Sequence, residues 1–233
     1  MRIRMPLPKL DSTGQFFEQW WSTQGEWVEQ PNQRRGGESG VLRTTTEDGK
    51  VIYIKRQENH IYRDIFHPFG QATIIREYKA YCALTKAQVN VPKLIYCGVQ
   101  NKKAILVTEA LDGFIDLDSW MEQNQGQPFY AETLNKILTE TATMLAKLHL
   151  NKLQHGSLYG KHLFVKAETN EQPLVEVALL DLEKIKKRNT AKEAALHDIP
   201  KIKRHSLLNS EQWHFFVNAY EQAFGSKLPK LHQ

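Results

Sequence analysis

The stretch that decides the fold is HGSLYGKHLFV at residues 155–165, which is followed by ALLDLE at residues 178–183. The first run crowds polar side chains into a short turn before an apolar, strand-like segment. The second run ends abruptly on Asp181. Two short strands that flank a polar loop, with a carboxylate at the exit, suit metal-assisted phosphoryl transfer. This reaction mainly needs groups that position the nucleophile and Mg²⁺ around the transferred phosphoryl group.

The composition indicates a globular protein with a modest positive charge. Its 233 residues carry a formal charge of +5, and 41% of them are hydrophobic. This is enough to bury the core of one domain or of two small lobes. The two cysteines, Cys82 and Cys97, lack metal-ligand spacing and favour a reducing compartment. Because we find no secretory signal and no bilayer-spanning apolar run, we expect a cytoplasmic protein.

Basic residues concentrate in two runs, at 184–188 and 201–204. A basic surface can meet nucleic acid, an anionic membrane face or a phosphorylated substrate. The chain has no zinc-finger spacing and no aromatic–glycine ribonucleoprotein motif, so we expect no specific nucleic-acid partner. Residues 184–188 fit a solvated basic run and a site for an anionic acceptor equally well.

The first 33 residues are rich in aromatic side chains and predict a helical N-terminal extension. Their spacing suits a short amphipathic helix that packs on the next domain. A peripheral contact with an anionic membrane surface is the alternative. The aromatic residues are Phe16, Phe17, Trp20, Trp21 and Trp27.

A glycine-rich segment and a hairpin follow. Three glycines within residues 36–40 allow a backbone to approach phosphate closely, although the pattern alone suits a plain turn as well. Asp48-Gly49 is a strong two-residue turn signal between 41–46 and 51–55. The second strand of this hairpin ends on Lys55.

A carboxylate on the next predicted helix, 73–84, suggests a partner for Lys55. Ile74, Tyr78 and Tyr81 form one apolar stripe, and Glu77 lies on or beside it. A carboxylate there is costly unless it is paired. Lys55, on the preceding strand, is the natural partner.

The rest of the chain predicts a loop, an antiparallel strand pair and three helices. We expect Asp116 and Asp118 to be solvated loop acids and His149 to be structural. The loop is 58–71, the strands are 93–99 and 104–109, and the helices are 134–148, 194–202 with an interruption near Pro200, and 210–225.

The pattern His-Gly-x-x-Tyr-x-Lys-His followed by Leu-Asp-Leu-Glu-Lys resembles the lipopolysaccharide kinase (Kdo/WaaP) family, and its InaA-like branch in particular. The resemblance implies an α+β, two-lobed protein-kinase-like fold. An N-terminal antiparallel sheet with one helix would occupy 34–109 and bind nucleotide. A mainly helical C-terminal lobe would occupy 110–233 and carry the catalytic-type loop, and the extension at 1–33 would precede both.

The resemblance also implies roles for individual residues, with ATP and Mg²⁺ as cofactors. The nucleotide would be bound by Gly36, Gly37, Ser39 and Gly40, by Lys55 on its phosphates, by Glu77 through Lys55, and by Glu109 at an adenine-reading hinge. The catalytic loop would use Ser157, His155 and Lys161. Asp181 would bind the metal with His162, and Asp198 would hold the loop's backbone.

Ser157 stands where the kinase pattern has its catalytic Asp, and His162 stands where it has a metal-binding Asn. A serine hydroxyl cannot accept a proton at neutral pH as a carboxylate can. Two functions therefore remain open. One is an ATP-dependent phosphotransferase that acts on a core sugar of lipopolysaccharide or a related saccharide. The other is a nucleotide- or saccharide-binding protein without turnover. For either function we expect a cytoplasmic monomer, which would lie at the periphery of the inner membrane if it binds such a saccharide there.

Overall fold

The computed structural model describes residues 8–11, 13–34, 36–64, 67–168 and 174–232. The chain divides into two compact units. The first comprises the chain up to Cys82 together with Pro92–Asp112, and the second comprises Ala83–Val91 and the chain from Gly113 onward. None of the helices in the described ranges is both long enough and apolar enough to cross a bilayer.

The first unit is built on an antiparallel sheet. In chain order its elements are α1 (Phe17–Ser22), β1 (Glu26–Arg34), β2 (Gly37–Thr45), β3 (Val51–Glu58), β4 (Ile61–Asp64), β5 (His67–Ala72), α2 (Thr73–Lys86, whose end from Ala83 onward belongs to the second unit), β6 (Leu94–Gln100) and β7 (Lys103–Glu109). Among the described residues, five of these strands form one sheet in the order β1-β2-β3-β7-β6.

The predicted hairpin at Asp48-Gly49 is present and fixes the register of the sheet. Leu42 on β2 lies opposite Ile54 on β3. Gly49 has a φ of +82°, a value that glycine adopts without steric cost. Because side chains alternate along a strand, this register sends Leu42, Ile52 and Ile54 to the same buried face.

Helix α1 closes that buried face. Phe17 is fully buried in a cluster with residues of β2, β3, β6 and β7, and Trp20 and Trp21 pack against the cluster. The aromatic residues of α1 are therefore used in the core of the first unit, as the helical spacing predicted. The remaining members of the cluster are Leu42, Ile52, Ile54, Tyr96, Ile105 and Val107.

The helical extension predicted for residues 1–33 is wrong in its second half. Among the described residues of this range the helix is Phe17–Ser22, and Trp27 lies on β1, which pairs with β2. Pro31 hid this strand in the sequence because proline cannot donate to a sheet. It is tolerated here because β1 is an edge strand and its register shifts between Glu29 and Asn32.

The loop predicted for residues 58–71 is also wrong in part. Strands β4 and β5 form a separate two-stranded ribbon in which Ile61 lies opposite Ala72 and Tyr62 lies opposite Gln71. Pro68 and Gly70 suggested a loop. In a two-stranded ribbon, however, both strands are edge strands, and an edge strand tolerates both residues.

The second unit is mainly helical. Its elements are β8 (Ile115–Asp116), α3 (Leu117–Asn124), α4 (Tyr130–Leu150), β9 (Leu153–Gln154), β10 (Leu163–Ala167), β11 (Val175–Leu179), β12 (Lys186–Lys187), α5 (Ala191–Arg204) and α6 (Ser210–Phe224). Helix α4 buries the predicted stripe from Leu134 to Leu148. Strands β10 and β11 pair as an antiparallel ribbon, which β8 extends.

Helix α5 continues through Pro200, so the predicted interruption is absent. A proline inside a helix costs about 3 kcal/mol, because it removes one hydrogen bond and crowds the preceding turn. Burial of one face of the helix offsets this cost. That face carries Ala194, Ala195, Asp198, Ile199 and Ile202.

We predict that Phe17→Ala destabilises the first unit strongly. The substitution empties a fully buried site in the cluster, and such changes cost about 3–5 kcal/mol. Phe16→Ala is the matched control, since Phe16 is 50% exposed at the adjacent position. It should change stability by less than about 0.5 kcal/mol. Chemical denaturation followed by tryptophan fluorescence measures both, and equal losses for the two variants would contradict the packing of α1.

Candidate active site

An ion pair joins the central strand of the first unit to helix α2. Lys55 Nζ lies 2.7 Å from Glu77 Oε2, and both side chains are largely buried. Lys55 is fixed on β3, where it lies opposite Val41 on one side and Leu106 on the other. Glu77 projects from the face of α2 that buries Ile74. A carboxylate in that position requires a cation, so the ion pair expected from the apolar stripe is formed.

The glycine-rich segment forms the turn between β1 and β2 and the start of β2. Gly36 has a φ of +76° and is exposed at the turn. Gly37 is required by packing, since a Cβ there would lie 2.3 Å from the Glu58 carbonyl oxygen. Gly40 is required in the same way, because its Cβ would lie 2.8 Å from the ring of Trp27. Tight packing within the sheet thus explains two of the predicted nucleotide-binding glycines independently of any ligand.

Ser39 and Glu109 both have partners within the first unit. The Ser39 hydroxyl accepts from the Gln57 amide at 3.4 Å. The Glu109 backbone N–H donates to the Lys93 carbonyl oxygen at 2.9 Å, and its carboxylate pairs with the Lys93 ammonium at 3.1 Å. The next N–H, that of Ala110, donates to the Val51 carbonyl oxygen. These two N–H groups are therefore engaged within the protein, and adenine recognition by the other backbone groups of residues 108–111 stays a prediction.

The polar loop in the second unit, residues 155–162, is held by a buried carboxylate. Asp198 on α5 accepts hydrogen bonds from the backbone N–H groups of His155 and Gly156, the latter at 3.0 Å. Lys201, one turn further along α5, donates to the Gly156 carbonyl oxygen. These are the backbone contacts that were expected of Asp198, and they fix the start of the loop on α5.

His149 completes this network from helix α4. Its Nε2 lies 3.4 Å from Asp198 and its Nδ1 lies 2.7 Å from the Tyr220 hydroxyl. Burial lowers the pKa of His149, so the neutral ring donates through Nε2 and accepts from Tyr220. Burial alone would raise the pKa of Asp198, but the hydrogen bonds from His149, Gly156 and His155 outweigh it and lower this pKa to about 2. His149 is structural, as predicted.

His155 links the loop to the segment that carries Asp181. Its Nε2 donates to the Leu180 carbonyl oxygen at 2.7 Å, and its Nδ1 accepts from the Ser157 N–H at 3.3 Å. The side chain is fully buried, and burial lowers its pKa. The neutral ring of His155 therefore links two backbone segments by hydrogen bonds, and it is not open to a substrate.

Asp181 follows β11 after one intervening residue, Leu180, and adopts a left-handed backbone conformation, with φ +59° and ψ +60°. Non-glycine residues in this conformation are uncommon and cluster at functional sites. Its carboxylate is 37% exposed and lies 3.8 Å from His162 Nδ1. That nitrogen donates to the Ser157 carbonyl oxygen at 2.6 Å, so in the neutral ring the lone pair lies on Nε2.

The donor set at Asp181 fits a weakly held Mg²⁺ rather than a closed metal centre. The described residues contain no group of three His, Cys, Asp or Glu side chains that could hold a metal. Mg²⁺ is commonly bound through one or two carboxylates together with substrate phosphates and waters. An exposed carboxylate such as that of Asp181 meets this requirement, whereas imidazole is a poor match for a hard cation.

Ser157 is the position where the kinase pattern has its catalytic carboxylate, and its hydroxyl is already engaged. The residue is 2% exposed, and Oγ accepts from Lys184 Nζ at 2.9 Å. Lys161 lies in the 3₁₀ turn Gly160–His162 and is exposed. The sequence placed Lys184 in a basic run and at the end of the Leu-Asp-Leu-Glu-Lys motif, but gave no signal that it contacts this loop.

The expectation that Asp118 is a solvated loop acid is wrong. It lies on α3, accepts from the Leu207 N–H at 3.1 Å, and packs so tightly on Gly160 that a Cβ there would meet its carboxylate. Burial raises the pKa of Asp118. Asp116 is not a loop acid either, because it caps α3 by accepting from the Ser119 N–H at 3.0 Å. Both acids organise the surroundings of the loop.

We predict that Asp198→Asn destabilises the second unit in a pH-dependent way. Each hydrogen bond to an ionised group contributes about 1.5–3 kcal/mol, and two backbone N–H groups lose such a partner. The folded pKa of about 2 lies below the value of about 3.9 for an unfolded Asp. The stabilisation is therefore present above about pH 4 and is lost as the pH falls through about 2.

Denaturation at a series of pH values measures this difference between the wild type and Asp198→Asn. The matched control is Glu140→Gln, since Glu140 is an exposed acid on α4. The control should differ little from the wild type at every pH. A wild-type advantage over Asp198→Asn that is the same at pH 3 and pH 7 would show that the ionised form is not what holds the loop.

Known proteins identify the family of this chain. The model of the lipopolysaccharide kinase (Kdo/WaaP) family matches residues 18–220. The protein InaA of Escherichia coli (strain K12) is 36% identical over 193 residues, which cover 81% of this chain and 87% of that protein. A solved structure, WaaP in complex with acyl carrier protein, matches with a TM-score of 0.67 at 19% identity, over 94% of this chain and 89% of that chain. This structural likeness confirms the protein-kinase-like α+β fold, and the chain belongs to the lipopolysaccharide kinase (Kdo/WaaP) family.

Proposed function

We propose that the protein is an ATP- and Mg²⁺-dependent phosphotransferase that acts on a hydroxyl group of a lipopolysaccharide core sugar or a related saccharide. The observation that carries the proposal is the Lys55–Glu77 ion pair at 2.7 Å, in a chain of a kinase family. Kinase-like folds use a lysine of this kind, held by a glutamate on the neighbouring helix, to bind nucleotide phosphates.

Lys55 would bind the phosphates of ATP, and Glu77 would keep the lysine side chain extended toward them. Asp181 would hold Mg²⁺, which neutralises charge on the phosphates when it is bound. The exposed carboxylate of Asp181 and its left-handed backbone support this role. His162 lies beside the same carboxylate, while its Nδ1–H holds the Ser157 carbonyl oxygen of the loop.

The acceptor would meet the loop at residues 155–162, which supplies position rather than proton transfer. Its backbone is fixed by Asp198, His155 and Lys201. Catalysis of phosphoryl transfer depends mainly on positioning and electrostatic stabilisation. A rigid loop can provide both without a carboxylate base, and Lys161, exposed on its 3₁₀ turn, would face the acceptor.

A second candidate function is binding of nucleotide or saccharide without turnover. One observation favours it, namely that the hydroxyl of Ser157 is buried and engaged by Lys184. A general base is typically worth about 10²–10⁴ in rate, and the chain has no carboxylate at this position. In either case we place the protein in the cytoplasm as a monomer, peripheral to the inner membrane where a lipopolysaccharide precursor would be met.

We predict that Lys55→Met weakens Mg·ATP binding by about 10–100-fold, because it removes a charged hydrogen-bond donor worth about 1.5–3 kcal/mol. Asp181→Asn should weaken ATP binding in the presence of Mg²⁺ and leave it unchanged in the presence of a chelator. Isothermal titration calorimetry measures both. Lys50→Met is the matched control for Lys55, since Lys50 is exposed just before the same strand and pairs with Asp48.

Transfer of labelled γ-phosphate to extracted lipopolysaccharide then separates the two candidate functions. Transfer that depends on Lys55 and Asp181 supports the enzyme. Normal Mg·ATP binding without any transfer supports the binding protein for the acceptors tried. Wild-type affinity for Mg·ATP in both folded variants would remove the kinase-like site altogether.

A further inference from the structure

The contact between Lys184 and Ser157 places a cation at the position where the kinase pattern has an anion. Lys184 ends the 3₁₀ turn Leu182–Lys184, directly after Asp181. Its ammonium donates to Ser157 Oγ at 2.9 Å. Ser157 is buried, whereas Lys184 as a whole is exposed, so the serine hydroxyl is the fixed partner of this contact.

The backbone of the loop is shaped to bring this lysine close. Gly156 has a φ of +88°, and a Cβ there would lie 3.1 Å from both the Cβ and the carbonyl oxygen of Lys184. A larger residue would strain this backbone and would require Lys184 to shift by a few tenths of an ångström. Lys201 donates to the carbonyl oxygen of the same glycine. Two lysines therefore lie against Gly156.

The charge of Lys184 is not balanced inside the protein. Within the described ranges it forms no ion pair, and its hydrogen-bond partner is the neutral hydroxyl of Ser157. Other cations share its surroundings: burial lowers the pKa of Lys201, and Arg204, Lys184 and Lys186 lower it further while Asp198 opposes them. The ammonium has three N–H donors, so two remain for an anion that comes from outside.

We propose that Lys184, oriented by Ser157, contacts a non-bridging oxygen of the phosphoryl group that is transferred from ATP. The loop then stabilises negative charge where the kinase pattern would supply a base. This inference rests on the phosphotransferase function proposed above. It assigns a catalytic contact to the last residue of the Leu-Asp-Leu-Glu-Lys motif, and it explains why a hydroxyl, which can hold an ammonium without neutralising it, stands at position 157.

The chemistry balances without a protein base. The acceptor oxygen forms a bond to the γ-phosphorus, the bond from that phosphorus to the β–γ bridging oxygen breaks, and ADP leaves. The acceptor's hydroxyl proton is released to water as the new ester forms, and Lys184 stays protonated throughout. The transition state is loose and carries its charge on the equatorial phosphoryl oxygens, so a fixed cation acts where charge must be stabilised.

The first experiment compares the affinities of Mg·ATP and Mg·ADP by calorimetry. Lys184→Met should lower the affinity for Mg·ATP by about tenfold or more, because it removes a charged contact to the terminal phosphate. It should change the affinity for Mg·ADP by less than twofold, and Lys184→Arg should retain part of the preference. Lys187→Met is the matched control, since Lys187 is an exposed lysine of the same basic run.

The outcomes of this comparison are distinct. Equal losses of ATP and ADP affinity in Lys184→Met, or no loss of either, overturn the inference and leave the proposed function standing. Absence of Mg·ATP binding in the folded wild type overturns the proposed function and the inference with it. Because Lys184 is exposed, its substitution leaves the core intact, and circular dichroism verifies this.

The second experiment uses single-turnover transfer of labelled γ-phosphate. Ser157→Asp should lower the rate, because the new carboxylate pairs with Lys184 and withdraws its charge from the phosphoryl group. Adding Lys184→Met to Ser157→Asp should recover part of the rate by freeing the carboxylate to act as a base. A rate for Ser157→Asp above that of the wild type would show that only a base is missing, and the inference would fall. Should Ser157→Asp not fold, Ser157→Ala gives the same test, since Lys184 then loses its fixed partner and the ATP preference should shrink.

Discussion

The buried carboxylate of Asp198 is the interaction on which the second unit's candidate site depends. A fully buried charge is costly unless hydrogen bonds satisfy it, and here the donors are backbone N–H groups of His155 and Gly156. The hydrogen bonds that satisfy the buried charge therefore also fix the backbone of the loop. His149 and Tyr220 carry the same network into helices α4 and α6, where the large apolar side chains pack.

From this anchor the remaining contacts follow in sequence along the loop. With His155 held by its N–H, its ring bridges to the carbonyl oxygen of Leu180, one residue before Asp181. With Gly156 held, its left-handed backbone admits Lys184, and Ser157 receives the lysine. The positions of Asp181, the metal-binding candidate, and of the Lys184 ammonium therefore both depend on the Asp198 carboxylate that holds the loop. This is why the strain at Asp181 can persist, since the segments on both sides of it are fixed.

The parts of this architecture that the sequence predicts are those governed by local rules. Spacing alone places Glu77 on or beside an apolar helical stripe, where an unpaired acid is costly, and the resemblance to kinases supports Lys55 as its partner. The hairpin at Asp48-Gly49 and the stripe of α4 are equally local. In contrast, Pro31 concealed β1, because a sequence does not show that a strand lies at an edge. Asp118 looked solvated because its burial depends on Gly160 and Leu207, which are distant in sequence.

The contact of Lys184 with Ser157 could not be predicted for a more specific reason. A lysine in a basic run has the same sequence signature whether it is solvated or held, and the decision rests on the φ of Gly156 and on a 3₁₀ turn of three residues. Read from the sequence, Ser157 is a missing carboxylate. Within the folded loop, its hydroxyl instead accepts a hydrogen bond from the Lys184 ammonium. A carboxylate at position 157 would neutralise the charge of that ammonium. Position 157 and position 184 are therefore coupled, and the chemical meaning of the serine depends on the lysine that it binds.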